Sequence, residues 1–297
     1  MPANVLTDNT DFICEKRLFE LDKELHERYR SSVFAIERLL MNYKTVFPFY
    51  TNHSFEHSEQ VINYCNIIAG RENVFRMNAD ELYILLMGAC LHDVGMGISV
   101  HDIYETKGNI PDVVKYEKEH SFTTQSELAR KFHQEFGAQF VIKYARLLEI
   151  PEEYVYPICQ VIRGHRKTNL FDTKAYSPCF HLQNGGIINL QYISALIKFA
   201  DELDITADRN LLFDYTKTDK RWSEKQVICY QCHEAIKRLA VVEDSLVLYF
   251  SAKNDDIRAK IMETESKVIK TFEEFCKIVE LQKDRILVQN SVRFDEE

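Results

Sequence analysis

The chain has 297 residues, 45% of them hydrophobic and 28% charged, with a formal net charge of −9. That length buries one large core with an appendage or two modest cores, and the composition is that of a globular protein. The acidic balance argues against a nucleic-acid coat protein or a membrane-surface binder, while a local basic pocket stays compatible with it.

Residues 1–19 mix acidic and basic side chains with apolar ones, so no signal-peptide core is expected there. No apolar run approaches the roughly 18 residues that span a bilayer. Of the eight Cys, Cys65, Cys90, Cys159 and Cys276 sit inside apolar helical patterns, where they read as small buried hydrophobes. A soluble, cytoplasmic protein is the expectation.

The first 50 residues read as helical, with Leu18, Leu21, Leu25, Val33, Ile36, Leu39 and Leu40 at three- and four-residue steps. Pro48 breaks that pattern. From His53 to about Asn210 helix follows helix. Val61, Ile62, Cys65, Ile68 and Ala69 form one face. Asp80 is placed to cap the nearly all-apolar stretch 82–91, which reads as a fully buried helix. Thr124 and Glu127 form a capping box for a helix reaching about Phe136. Residues 154–165 and 187–203 are further helices, with a loop over 172–186.

After Asn210 the period changes. Residues 226–234, 236–243 and 246–252 are rich in Val, Ile, Leu and Tyr and read as strands of a small antiparallel sheet. Residues 255–281 return to helix, with a stripe of Ile257, Ile261, Ile269, Phe272, Phe275 and Val279 that is core or a homodimer interface. Cys229, Cys232 and His233 match a haem-attachment spacing, but the strand reading of that stretch is preferred. The expected fold is mainly α: a helical lead-in over 1–52, a helical domain over 53–212, and a sheet-plus-terminal-helix appendage over 213–297.

His92 and Asp93 end the most apolar helix, and Asp201 lies inside the apolar run 197–205. Burying an ionised carboxylate is expensive unless it is paired or bound to a cation. Carboxylates beside His57 and His92 therefore point to a metal, and imidazole with carboxylate suits transition metals better than calcium. His120 and His165 extend the set. A second ion sharing Asp93 and taking these two would stand about 3.5–4 Å from the first, the spacing of two-metal hydrolases.

The ordered pattern H…HD…H…H…D, filled by His57, His92, Asp93, His120, His165 and Asp201, resembles the HD-domain superfamily of metal-dependent phosphohydrolases. Asn52-His-Ser-Phe-Glu-His-Ser58 resembles the first-ligand motif of the family's dNTP triphosphohydrolases. His92-Asp-Val-Gly-Met-Gly97 resembles the signature doublet, and Lys198-Phe-Ala-Asp-Glu-Leu-Asp204 the last-ligand motif. The match covers roughly residues 52–209. The chain lacks the Gly-Tyr-Pro motif of the HD-GYP phosphodiesterases, and Met96 stands where they carry Lys.

The resemblance implies an HD-type helical bundle holding one or two divalent ions (manganese, iron, magnesium, zinc, cobalt or nickel). It implies hydrolysis of a phosphoester or phosphoanhydride in a small, nucleotide-like substrate. Asp93 with His101 or Arg166 is the expected catalytic set, His101 matching a His that the dNTP hydrolases place near the scissile phosphate. His53, Arg163, Lys167 and Arg209 are the candidates for gripping substrate. Asp204 either orients a ligand His or faces the surface. His26, His133, His181 and His233 read as ordinary. A diiron oxygenase of the same fold and a non-catalytic nucleotide-sensing module are the alternatives.

Overall fold

The computed structural model describes residues 12–43, 47, 53–120, 123–209 and 223–297. The predicted break at Pro48 and the predicted boundary at 212–213 lie outside them. The described residues form a mainly α fold. In chain order the helices are α1 (Ile13–Leu21), α2 (Lys23–Leu40), α3 (Phe55–Arg76), α4 (Ala79–Leu91), α5 (Val100–Thr106), α6 (Pro111–Glu119), α7 (Gln125–Tyr144), α8 (Glu152–Gly164), α9 (Leu190–Leu203), α10 (Glu224–Ala235) and α11 (Asp255–Glu280). The strands are β1 (Phe180–His181), β2 (Ile187–Ile188), β3 (Ile236–Val242), β4 (Ser245–Phe250) and β5 (Ser291–Glu296). No single helix among the described residues is long and apolar enough to cross a membrane.

The centre of the fold is α4. It is apolar all round, so it is stable only when surrounded, and α1, α2, α3, α8 and α9 enclose it. Its cap is Asn78, whose side chain accepts from Glu81 N–H while Glu81 reaches back. The predicted cap, Asp80, instead accepts from the Tyr154 hydroxyl. Thr124 and Glu127 form the predicted capping box of α7, but the helix runs past Phe136 to Tyr144 with a kink at Phe132 (φ −125°, ψ 21°). The predicted 172–186 loop carries β1, which pairs antiparallel with β2, so α9 starts later than predicted, behind its Asn189 cap.

Two readings of the C-terminal part change. Residues 226–234 are not a strand but most of α10, because Ser223 and Gln226 form a capping box and the helix packs on α11. The three-stranded sheet is mixed rather than antiparallel: β3 and β4 form the predicted hairpin, and β5 lies parallel to β4. The long helix α11 is therefore not terminal. It docks on α9 through Phe272 and Phe275, whose rings meet Phe199 at 5.2 and 5.7 Å. Burying each such ring contributes about 2–3 kcal/mol.

The segment between α11 and β5 runs back along α3. Asn73 bonds both backbone groups of Ile286, and Gln289 donates to the Ile67 carbonyl. Gly70 sits there at φ 63°, where a Cβ would meet Val288 at 2.9 Å. Arg285 donates to both carboxylate oxygens of Glu81 at 2.8 and 2.9 Å, deep beneath the surface. This pair anchors the returning segment to the start of α4.

Candidate metal centre

Four helix ends converge beside α4. His57 lies in the first turn of α3, His92 caps the C-terminus of α4, His165 caps that of α8, and Asp201 lies in the last turn of α9. Asp93 follows His92 and leads into a 3-10 turn, Val94–Met96. Gly95 of that turn lies against the α7 backbone at His133 and Gly137. This close approach delivers a further ring, His133, from the turn after the Phe132 kink. His57, His92, Asp93, His133 and His165 are all buried.

The four rings share one hydrogen-bond logic. His92, His133 and His165 each donate Nδ1–H to the carbonyl three residues earlier, at 2.7, 2.9 and 2.5 Å. His57 donates its Nδ1–H to Asp204 Oδ2 at 2.5 Å. Every Nδ1 is thereby occupied, and every neutral ring turns an Nε2 lone pair inward. His57 and His92 bring these nitrogens within 3.0 Å of each other, and so do His133 and His165. In neutral rings these facing lone pairs repel, and either a shared proton or a metal cation between them removes the conflict.

Asp93 joins the two pairs. Its Oδ2 lies 3.4 Å from His57 Nε2 and 3.3 Å from His92 Nε2, and its Oδ1 lies 3.4 Å from His133 Nε2 and 3.8 Å from His165 Nε2. Asp201 Oδ1 completes the first set at 3.2 and 3.7 Å from His57 and His92. Donors about 2.1 Å from a shared ion stand about 3.0–3.4 Å apart, so the spacing fits a metal. Both donor sets, His57–His92–Asp201 and Asp93–His133–His165, could hold an ion.

Electrostatics separates the two sets. Burial alone would raise the Asp93 carboxyl, but His92, His53 and His57 outweigh it and hold Asp93 well below the usual carboxylate range. Asp201 is likewise held down against burial by His57 and His92. Burial lowers His92, yet Asp93 and Asp201 win and raise it to about 10. His57 rises to about 9, against burial and Arg209, because Asp201, Asp204 and Asp93 surround it. Burial, with the neighbouring positive groups, keeps both His133 and His165 lowered, outweighing Asp93, which raises each ring, and Asp201, which also raises His165.

A cavity of about 270 Å³ opens over these groups. Arg130, Arg166, Arg209 and Lys267 line it together with Asp93, Asp201 and Glu202, and Lys267 is paired with Glu202 at 2.7 Å. His53 also lines it and bonds Asp93 Oδ2 through Nδ1 at 2.7 Å. Arg209 reaches the Asp204 carbonyl at 2.7 Å and the His57 ring at 3.2 Å.

Five of the six predicted ligands thus meet: His57, His92, Asp93, His165 and Asp201. His120 does not. It is exposed at the end of α6, its ring stacked 4.0 Å from Tyr116 and its Nδ1 on the Tyr116 carbonyl. His133 occupies the place expected of it. His101 also stands apart, three-quarters exposed and paired with Glu105 at 3.0 Å on the same helix. Arg163 is engaged with Glu135 at 2.9 Å outside the cavity, and the exposed Lys167 does not line it. Asp204 is buried on His57 rather than facing the surface.

The missed ring had a signal. His133 falls on the stripe Ala129, Phe132, Phe136, Gly137 and Phe140, which periodicity marks as the inner face of α7.

A family model described as HD-CE matches residues 47–273. A search of curated proteins returns no match to the chain.

Proposed function

Because the chain belongs to the HD-CE family, we propose that it is a metal-dependent hydrolase acting on a phosphoester or phosphoanhydride bond of a small, nucleotide-like molecule. The observation that carries this reading is Asp93, whose two oxygens face two separate imidazole pairs. In this reading His57, His92, Asp93 and Asp201 hold one ion, and His133 and His165 hold a second with Asp93 between them.

A divalent cation held there supplies Lewis acidity and brings the pKa of coordinated water towards neutrality. The chain's own residues do the rest. Arg130, Arg166 and Arg209 bind phosphoryl oxygens and orient the scissile bond over Asp93. His53 steadies Asp93, and Asp204 fixes the tautomer of His57. Three arginines around one cavity argue for an anionic substrate. Imidazole-rich sets favour manganese, iron, cobalt, nickel or zinc over calcium.

The test is phosphate release from a panel of nucleotides with Mn²⁺, Fe²⁺ or Mg²⁺, using protein purified without oxygen. Release with at least one ion, abolished in Asp93→Ala, is the expected result. No release with any ion, or release that survives Asp93→Ala, defeats the reading.

A further inference from the structure

Asp93, Asp201 and Glu202 are the carboxylates that line the cavity, and Glu202 stands outside the metal centre. Asp93 and Asp201 face the imidazoles of the two donor sets, whereas none of the metal-binding groups among the described residues includes Glu202. Asp201 and Glu202 are consecutive in the last turn of α9, and both reach the cavity, which therefore opens along the edge of the helix between them. The Glu202 side chain is 16% exposed, and its Oε1 takes Lys267 of α11. Its Oε2 has no hydrogen bond or ion pair to the protein among the described residues.

A carboxylate in a cavity that attracts phosphate opposes the charge found there, and joining two helices does not account for it. The rings of Phe199, Phe272 and Phe275 and the ion pair of Lys198 with Glu274 at 2.8 Å already hold α9 to α11. The Lys267 side chain is 62% exposed, and an ion pair with so exposed a partner contributes little. What Glu202 brings is chemical. Arg130, Arg166 and Arg209 can only donate hydrogen bonds, and an ionised carboxylate can only accept them. Asp93 and Asp201 are committed to the imidazoles, so Glu202 supplies the oxygen that can meet a donor. Sugar hydroxyls are such donors, and a carboxylate accepting from a ribose is a recurrent device of nucleotide sites. Met96 and Ile205 give the same cavity apolar surface against which a sugar face can lie.

We propose that Glu202 accepts a hydrogen bond from a sugar hydroxyl of the substrate. The cavity then selects phosphate compounds whose sugar keeps its vicinal hydroxyls over their deoxy counterparts. The proposal rests on the phosphate-binding reading above and adds the residue that reads the sugar. Lys267 positions the carboxylate from the α11 side.

The test is calorimetric binding to the full, Mn²⁺-loaded chain at pH 8, with two non-hydrolysable probes. One is the methylene phosphonate analogue of adenosine monophosphate. The other is its 2′,3′-dideoxy counterpart, which keeps the phosphonate and the base and lacks the hydroxyls. The wild-type chain should bind the first about tenfold more tightly, the worth of a hydrogen bond to a charged group. Glu202→Ala should erase that preference by weakening the first probe alone, and its unchanged affinity for the second shows that the variant is folded. Lys267→Met, which removes the ion pair and keeps the carboxylate, should preserve the preference. No preference in the wild-type chain, a preference that survives Glu202→Ala, equal weakening of both probes by Glu202→Ala, loss of the preference in Lys267→Met, or no binding of the hydroxylated probe to the wild-type chain overturns the proposal. Phosphate release is scored separately: a chain that shows the preference without turning over any nucleotide defeats the hydrolase reading alone, and the binding ratio still decides the role of Glu202.

Discussion

A methyl group on Gly95 would stand 2.0 Å from the carbonyl oxygen of His133. The turn that carries Asp93 and the helix that carries His133 therefore touch backbone to backbone, and the second imidazole pair depends on that contact. Gly95→Ala should force them apart, costing about 2–3 kcal/mol of stability and lowering bound metal. Urea unfolding and elemental analysis measure the two effects. A variant with wild-type stability and metal content would show that the contact is dispensable.

His133 and His120 make a clean comparison, since one lies in the cluster and the other outside it. His133→Ala should lose about one metal equivalent per chain, having lost one ligand of the second set. His120→Ala should keep its full complement. Mass spectrometry of anaerobically purified protein distinguishes them, and equal metal loss in both variants would contradict the geometry.

Asp204 touches the proposed ion only through His57. Its carboxylate takes the Nδ1 proton and so aims Nε2. Asp204→Asn should weaken metal affinity about 10–100-fold without removing a ligand. Competition against a chromophoric chelator reads this directly. Unchanged affinity would mean that the helix alone orients the ring.

The pH dependence of stability isolates His233. Its folded pKa is about 3 against an ordinary 6.5. Above 6.5 neither state holds the proton, so the ring contributes nothing. Between 6.5 and 3 the unfolded chain takes up a proton that the folded chain refuses, and stability falls by up to about 1.4 kcal/mol per pH unit. Urea midpoints of chelated wild type and His233→Leu should therefore diverge in favour of the variant from pH 6 to pH 4. A constant difference across that window would place the ring's protons in contact with solvent.

The legible parts of the molecule are those set by local pattern. The apolar run of α4, the Thr124 capping box and the order of His57, His92, Asp93 and Asp201 can be read from the chain, and the family match agrees with the resemblance they carry. Residues 226–234 mislead because Val227, Ile228, Cys229 and Tyr230 favour strands, while the Ser223 capping box and packing on α11 make them helical. The strand β5 is invisible locally, since its partner β4 lies more than forty residues earlier and the pairing is parallel. His120 and His133 flank the same capping box. Which one points inward depends on the kink at Phe132 and the close approach of Gly95 to the α7 backbone, both tertiary facts.

The Arg285–Glu81 pair spans 204 positions of the chain. During synthesis α4 leaves the ribosome long before the guanidinium that neutralises its first turn has been translated. Until then Glu81 must stay hydrated, which holds the front of that helix away from its apolar surroundings. Closure of the interior around α4 is consequently a late, long-range event that waits for Arg285.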